Sequence, residues 1–600
     1  MADSAIGTGV PRVEGVGKLT GEAVYVDDLP TDGVWFGATV RSPAPRGRLR
    51  AIERGPDFPR DDVVVVTAAD LPGPNVIPLI QDDQPALAAD GFRHAEEPVV
   101  LVAAPTRELA ARAAAAIRLD VEELPACLDA EEALASGAEV FKRIEIAKGD
   151  AAAMDGADVV VEATYRFGSQ EHVYIEPQGV QAEWTDHGVI LRGSLQCPYY
   201  VVDGLARLLG LPRERVRVVQ MATGGGFGGK EEYPTMIAAH AALLSRAAGH
   251  PVRIVYERTE DMRATTKRHP GRVVHRTGLA RDGRIVAMDV DVLLDAGAYC
   301  TLSPVVLSRG ALHAAGPYDV ANVRVLARAV ATNFPPHGAF RGFGAPQTLF
   351  ALEAHLDECA ERLGLSPVEL RRRNLLRPGG TLATGQDLGT DVAVEEVLDR
   401  ALAESGWKER RDAFRRFNEE AARRDGAFRF RRRGIGLALF HHGAGFTGSG
   451  EVALASRAGL AGLPDGTVLV LSAQTEIGQG TRTVLAQVAA DGLGLPVDRI
   501  RSVDPDTAVA PDSGPTVASR TCMVVGGLLY RAGRELRRRV EEAAGRPLPS
   551  PDEFCAEVAR LAAAGPLEQV VQYEPPPGVR WDEDTYRGDA YATYAWACYV

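Results

Sequence analysis

Short unbroken apolar runs alternate with longer amphipathic stretches along this chain, and their periods predict its elements. Residues 62–67 (DVVVVT) and 98–104 (PVVLVAA) are continuous apolar runs, the pattern of buried strands. A polar, proline-rich loop separates them. Thr106 then opens an Ala-rich helix to about Ile117, followed by the strand-like RLDVEEL. This reads as a self-sufficient α+β unit ending near residue 135, where an Ala/Glu/Gly stretch marks a boundary. Farther on, a helix is predicted from 346 to 362, ending at Gly364. The next starts at Ser366, with Pro367 in the first helical position and Glu369 completing a capping box. Residues 408–433, rich in Arg and Glu, read as a solvated helix with its connector. The last ten residues, YATYAWACYV, have the pattern of a core strand interrupted within a domain, so a chain cut short at its C-terminal end is expected.

Two distant segments share one order of elements. Ser194-Leu195-Gln196 precedes the helical pattern YVVDGLARLLG, then LPRERVRVV and a glycine-rich loop. Ser472-Ala473-Gln474 precedes GQGTRTVLAQVAADGLG, then LPVDRIRSV and the small-residue loop DSGPTVAS. Both read strand, helix, Leu-Pro turn, strand, loop, which predicts an internal repeat and two related subdomains facing each other. Chance similarity of two helix–turn–strand units is the plainer alternative.

Composition narrows the function class. With 600 residues, 46% hydrophobic and 25% charged, the chain has the balance of a globular protein of two to four domains. A net charge of −14 argues against nucleic acid or an anionic membrane surface as the main partner. The N-terminal residues carry neither a basic nor an apolar region of a leader, and no run of 18 apolar residues occurs, so a cytoplasmic location is expected. The seven cysteines (127, 197, 300, 359, 522, 555, 598) form no CxxC pair, which argues against structural zinc, a disulfide framework and iron–sulfur ligation within the chain.

Four loops combine small residues with a strand before or a helix after them: 223–231 (TGGGFGGKE), 338–347 (GAFRGFGAPQ), 475–480 (TEIGQG) and 512–519 (DSGPTVAS). Glycines allow close approach of backbone to a ligand, and N–H groups at helix starts favour anionic oxygens. Four such loops, two on matched repeats, favour a large polar cofactor clamped between halves. The first also fits GxxxxGK, a phosphate loop. Glu231 stands where that motif needs Ser or Thr on magnesium, and its charge would repel phosphates, so the NTPase reading fails.

In these same loops, GGGFGGKE, GAFRGFG, TEIGQG and GPTVAS in this order, the chain strongly resembles the molybdopterin-binding large subunit of the xanthine dehydrogenase family, from GKLTGEAVYVDD onward. The resemblance implies an α+β fold in which an N-terminal α/β-hammerhead-like domain (1–135) precedes two related molybdenum-cofactor-binding domains (136–385 and 386–600), the second incomplete. It implies that Gln196 bonds an oxo ligand of molybdenum, and that Phe227, between Gly226 and Gly228, forms a backbone clamp beside the metal. Arg341, Gln479, Val517, Ala518 and Ser519 would hold the pterin, in mononucleotide or cytosine dinucleotide form, whose sulfurs carry the metal. Glu231, Arg309, Phe343, Phe446 and Thr447 match purine-site positions: two phenyl rings to sandwich a flat heterocycle, with a carboxylate and a guanidinium to read its edges. Arg309 would also stabilise charge developing on the ring.

Taken singly, each of these residues has a plainer role. Phe343 and Phe446 can be core residues, Arg309 can pair with a carboxylate, Glu231 can cap the helix behind it and Gln479 can belong to a turn. The adjacent His441 and His442 are read as structural. The family's reaction is a hydroxylation with oxygen from water, its electrons leaving through 2Fe-2S clusters to FAD, here on separate partner subunits, with the whole complex a dimer. Its general-base glutamate belongs to a C-terminal GxGE-type segment, and the chain stops before it. No turnover of xanthine by this polypeptide alone is therefore expected. A hydroxylase of another azaheterocycle or an aldehyde, or an inactive assembly fragment, are the competing expectations.

Overall fold

The computed structural model describes residues 4–600. The run 98–104 forms strand Pro98–Ala104, buried along its whole length, as expected of a strand covered on both faces. It lies inside a seven-stranded sheet whose order is Val216–Gln220, Gly188–Gly193, Gly179–Thr185, Val252–Val255, Trp35–Arg41, Pro98–Ala104, Val64–Val66. Helix Arg107–Ala115 follows, capped by the Thr106 side chain on the Leu109 N–H, and strand Ile117–Glu123 pairs with Gly47–Arg54 in a separate small sheet.

The N-terminal unit is not self-sufficient, contrary to the expectation. Trp35–Arg41 pairs in parallel with Val252–Val255, Trp35 opposite Val252. Leu87 and Leu101 share one apolar core with Leu205, Ile237 and Leu244. An apolar run buried on both faces needs a second layer, and that layer is supplied by helices more than 100 residues downstream. Beside it, a five-stranded sheet runs Val140–Lys148, Asn322–Ala331, Ile285–Gly297, Gly271–Leu279, Val159–Phe167. Its core includes Ile146, Val290 and Val325, and helices Ser303–His313 and Ala345–Leu363 cover it with Leu307 and Leu352.

The two repeat segments fold alike. Strand Gly188–Gly193 leads through Gln196 to helix Pro198–Leu209, which ends at the left-handed Gly210, then a single 3-10 turn and strand Val216–Gln220, parallel to the first. In the second half Val468–Leu471 leads through Gln474 to helix Thr481–Leu493, which ends at the left-handed Gly494, then a 3-10 turn and Ile500–Arg501, again parallel. The halves are joined by main chain. Gln220 N–H donates to the Pro505 carbonyl at 2.9 Å and Thr507 N–H to that of Val218 at 3.0 Å.

Helix Ala345–Leu363 ends at the left-handed Gly364. At the next helix, Pro367–Asn374, Ser366 accepts from the Glu369 N–H at 3.1 Å. The Glu369 carboxylate pairs with Arg373 instead of reaching back, so the capping box is half made. Helix Trp407–Ala422 is solvated except at Trp407 and Ala421. The C-terminal aromatic run forms strand Tyr594–Tyr599, half-buried rather than core, antiparallel to Ala438–Gly443. Among the described residues no helix is long and apolar enough to cross a membrane.

Candidate active site

The strand Val216–Gln220 delivers the loop 223–231 to the seam between the halves. At Gly228 φ is +102°, and a Cβ there would fall 2.9 Å from the Ala339 carbonyl, so only glycine lets the two loops close. Gln196 stitches the seam. Its Oε1 accepts from the Gly228 N–H at 2.9 Å and its Nε2 donates to the Thr516 carbonyl at 3.2 Å. Arg341 N–H donates to the Phe227 carbonyl at 2.8 Å. In the second half Gln474 occupies the matching place, donating to the Gly514 carbonyl at 2.8 Å and accepting from Thr521 Oγ1 at 2.6 Å. The loop 512–519 is anchored from behind by buried Arg520, which donates to the Ser513 carbonyl at 2.6 Å and pairs with Glu451 at 2.9 Å.

These loops enclose a cavity of about 680 Å³. Gln196, Phe227, Gly228, Glu231, Arg309, Arg341, Phe343, Gln479, Val517, Ala518 and Ser519 line it. Gly226 lies directly behind, packed on the Gln196 side chain. The backbone here is strained: Phe227, Phe343, Ala518 and Ser519 all have positive φ, between 52° and 58°. Non-glycine residues in that region cost of order 1–3 kcal/mol each and gather where a ligand must be met. A π-helical turn, Thr521–Gly526, follows directly, another irregularity found at functional sites.

Phe446 and Thr447 do not line the cavity, which corrects the expected two-ring sandwich. Phe446 N–H is drawn to Glu451 Oε1 at 3.0 Å, and Thr447 Oγ1 bonds Tyr591 OH at 2.8 Å, so the segment turns toward those partners. Besides Phe343, Phe227 and Phe340 line the wall, and Phe340 is already stacked on His172 at 4.3 Å and lies beneath the Arg268 guanidinium at 3.9 Å.

Glu231 and Arg309 are each 2% exposed. Burial, then the neighbouring charge of Glu232, pushes the Glu231 carboxyl well above the usual range, and Arg309 pulls the other way. Arg309, on helix Ser303–His313, donates to the carbonyls of Gly443 and Gly445 and to His442 Nε2, and its Nε has no partner. It thus meets carbonyls, not the carboxylate that a plain structural role would supply. His442 lines the cavity, while His441, its neighbour on the strand, is buried against Trp596. Burial holds His441 at about 3, and burial with Arg309 holds His442 at about 4, so both imidazoles are neutral. Gln479 does serve its turn: Oε1 accepts from the Ile477 N–H at 2.9 Å and Nε2 donates to Thr481 Oγ1 at 2.7 Å.

Lys230, the lysine of the GxxxxGK pattern, is buried with its Nζ on Glu176 at 3.0 Å and Ser194 at 2.8 Å. It is spent behind the loop, which removes the phosphate-loop reading a second time.

Sequence reasoning did not single out Phe340, Gly342, Ile477, Gly478 and Thr516, which also line the cavity. All five sit inside the four loops, so their position was the available signal. Thr521 and Cys522 follow the last loop through the π turn and carried none. Among the described residues no group of three or more His, Cys, Asp or Glu side chains could hold a metal ion. The donors facing the cavity, an unengaged Arg341 guanidinium and strained main chain, fit a polar organic cofactor that brings its own metal.

The molybdopterin cofactor-binding domain family matches residues 135–375 and 400–600, and the aldehyde oxidase and xanthine dehydrogenase a/b hammerhead domain matches 20–125. A Bacillus subtilis protein named as a probable xanthine dehydrogenase subunit is 33% identical over 548 residues, 89% of this chain and 71% of the relative. The chain belongs to the xanthine dehydrogenase family, as a molybdopterin-binding large subunit. The xanthine dehydrogenase of Oryza sativa subsp. japonica is 33% identical over 558 residues, 90% of this chain and 40% of its own length. The aldehyde oxidoreductase from Desulfovibrio gigas superposes with a TM-score of 0.86 at 28% identity, covering 99% of this chain and 66% of that one. The chain therefore spans between two fifths and about seven tenths of these relatives.

Proposed function

We propose that this chain holds the molybdopterin cofactor in the seam cavity and that the cavity takes a purine, such as xanthine or hypoxanthine, for hydroxylation with oxygen from water. The reading rests on one observation: a buried carboxyl, Glu231, and a buried guanidinium, Arg309, line the same cavity as the phenyl face of Phe343. A purine presents ring N–H and C=O groups at opposite edges of a flat ring, which suits such a set. Gln196, Gly228, Arg341, Gln479, Val517, Ala518 and Ser519 would hold the cofactor, which supplies oxygen transfer and takes up two electrons. Electrons would pass to 2Fe-2S and FAD partner subunits.

The protein's own contribution is positioning and charge. Glu231, kept neutral by burial, donates a hydrogen bond to a ring acceptor. Arg309 supplies a fixed positive charge toward the developing negative charge of the ring, preorganised by its carbonyl contacts. A second reading, a different azaheterocycle or an aldehyde, is favoured by the absence of Phe446 from the wall, which removes the ring expected to pair with Phe343. Steady-state kinetics of the chain co-purified with its partner subunits, on xanthine, hypoxanthine, nicotinate and benzaldehyde, separates the two. Glu231→Ala should lower kcat/KM for the purine about 10- to 100-fold. A Glu231→Ala enzyme that oxidises purine normally overturns the assignment, and a complex without molybdenum marks an assembly fragment.

A further inference from the structure

Behind Glu231, the next residue faces a region the proposed chemistry does not use. Glu232 Oε1 accepts from the Ala339 N–H at 3.1 Å, and a Cβ on Gly338 would fall 1.6 Å from that oxygen, so the carboxylate sits directly on the glycine. Its side chain meets that of Thr266. His269 Nδ1 and both ring nitrogens of His337 are buried without a partner. These four side chains are all at least nine-tenths buried.

They form one tract. The Thr266 Cβ lies 2.9 Å from the same Gly338 position that Glu232 crowds. Gly338 N–H donates to the Lys267 carbonyl at 3.0 Å, and Lys267 and His337 pair as a parallel bridge. The His337 and His269 rings are 5.7 Å apart and tilted by 48°, and His269 Nε2 bonds Ser303 Oγ at 2.8 Å. Lys267 Nζ reaches Glu171 at 2.7 Å at the outer edge, where both side chains are partly exposed. A buried polar atom left unpaired costs about 1–3 kcal/mol, and one protein seldom tolerates several together unless water satisfies them.

We propose that this tract is hydrated and conducts protons, with Glu232 as the relay residue that exchanges a proton with Glu231 at the cavity end. The inference rests on the proposed hydroxylation, in which R–H and water give R–OH, two electrons and two protons. The electrons leave through the partner subunits and the protons need a route of their own. Only O–H and N–H bonds change along it. Glu231 takes a proton released in the cavity on one oxygen as it gives its own from the other to the Glu232 carboxylate, so it is neutral before and after. Glu232 gives one to tract water, and His337 accepts on one nitrogen while releasing from the other.

Burial raises the Glu232 carboxyl to about 7, where it can both hold and release a proton at neutral pH. The titratable groups that feel the pair are Cys197 and Tyr200 at the helix start at Pro198 and Arg309 across the cavity, while Lys267, His337 and His172 lie around the neighbouring 337–339 main chain. Burial and then Lys267 keep His337 neutral, at about 3, so it hands protons on rather than storing them.

Infrared difference titration of the purified complex, in H₂O and D₂O without substrate, tests this. A carboxylic-acid band should titrate near neutral pH and exchange readily with solvent. Glu232→Gln should remove part of that band and shift the remaining midpoint downward, since the neighbouring charge is gone. Glu232→Asp should restore it, and His337→Phe should slow its exchange while leaving the band in place. An identical band and midpoint in wild type and Glu232→Gln overturns the proposal, as does unchanged exchange in His337→Phe. The measurement needs no turnover, so failure of the purine reading alone would leave these spectra as expected.

Discussion

Acidification should unfold this protein well before its carboxylates lose their salt bridges. Burial holds His240, His337 and His441 at about 3, and His355 and His442 at about 4. An unfolded histidine takes a proton near 6.5, so below that pH the unfolded chain binds protons that the folded chain refuses. The stability these residues contribute is complete above 6.5 and is lost as pH falls. At pH 5 each costs about 2 kcal/mol, and the five together about 10 kcal/mol. Buried carboxyls oppose this, Glu231 and Glu353 among them. Glu232 at about 7 and Asp295 at about 6, both raised by burial, gain protons in the folded state first, and return about 3 and about 1 kcal/mol by pH 5. On these seven groups the histidines win by about 6 kcal/mol, a large share of a typical 5–15 kcal/mol. His269, His275 and His313, held well below the ordinary value by burial, add to the same side against Glu231. Urea unfolding followed by tryptophan fluorescence at pH 7, 6 and 5 measures the difference. A midpoint at pH 5 equal to or above that at pH 7 refutes the reasoning.

Two substitutions test the scaffold of the site. Arg520→Met leaves Glu451 buried without its partner and releases the Ser513 carbonyl, and should cost about 3–5 kcal/mol in urea unfolding. Gly228→Ala places a Cβ against the Ala339 carbonyl at a left-handed φ, and should cost more than about 1 kcal/mol and lower the molybdenum content of the purified complex.

Local signals carried much of the fold. The apolar run 98–104, the Thr106 cap and the Ser366 cap each act within a few residues, and each element forms where its pattern ends. The repeat was legible because both copies keep the same order of strand, helix and Leu-Pro turn. The pairing of Trp35 with Val252 was not, since nothing in a strand's own pattern names the neighbour it will meet 217 positions away. The site divides in the same way. Residues inside the four small-residue loops arrived together, whereas Phe446 was diverted by Glu451, itself committed to Arg520. His442 reached the wall because its strand neighbour His441 took the buried side, an alternation that a glance at two adjacent histidines does not assign.

The main-chain ladder between residues 218–220 and 505–507 fixes how wide the gap between the two lobes is. Since that ladder is main chain, wall residues that take no part in the seam, unlike Gln196 and Arg217, are free to change one at a time without the lobes drifting apart. A lineage built on this frame can trade one ligand for another by repainting the walls, and its architecture need not be renegotiated at each step.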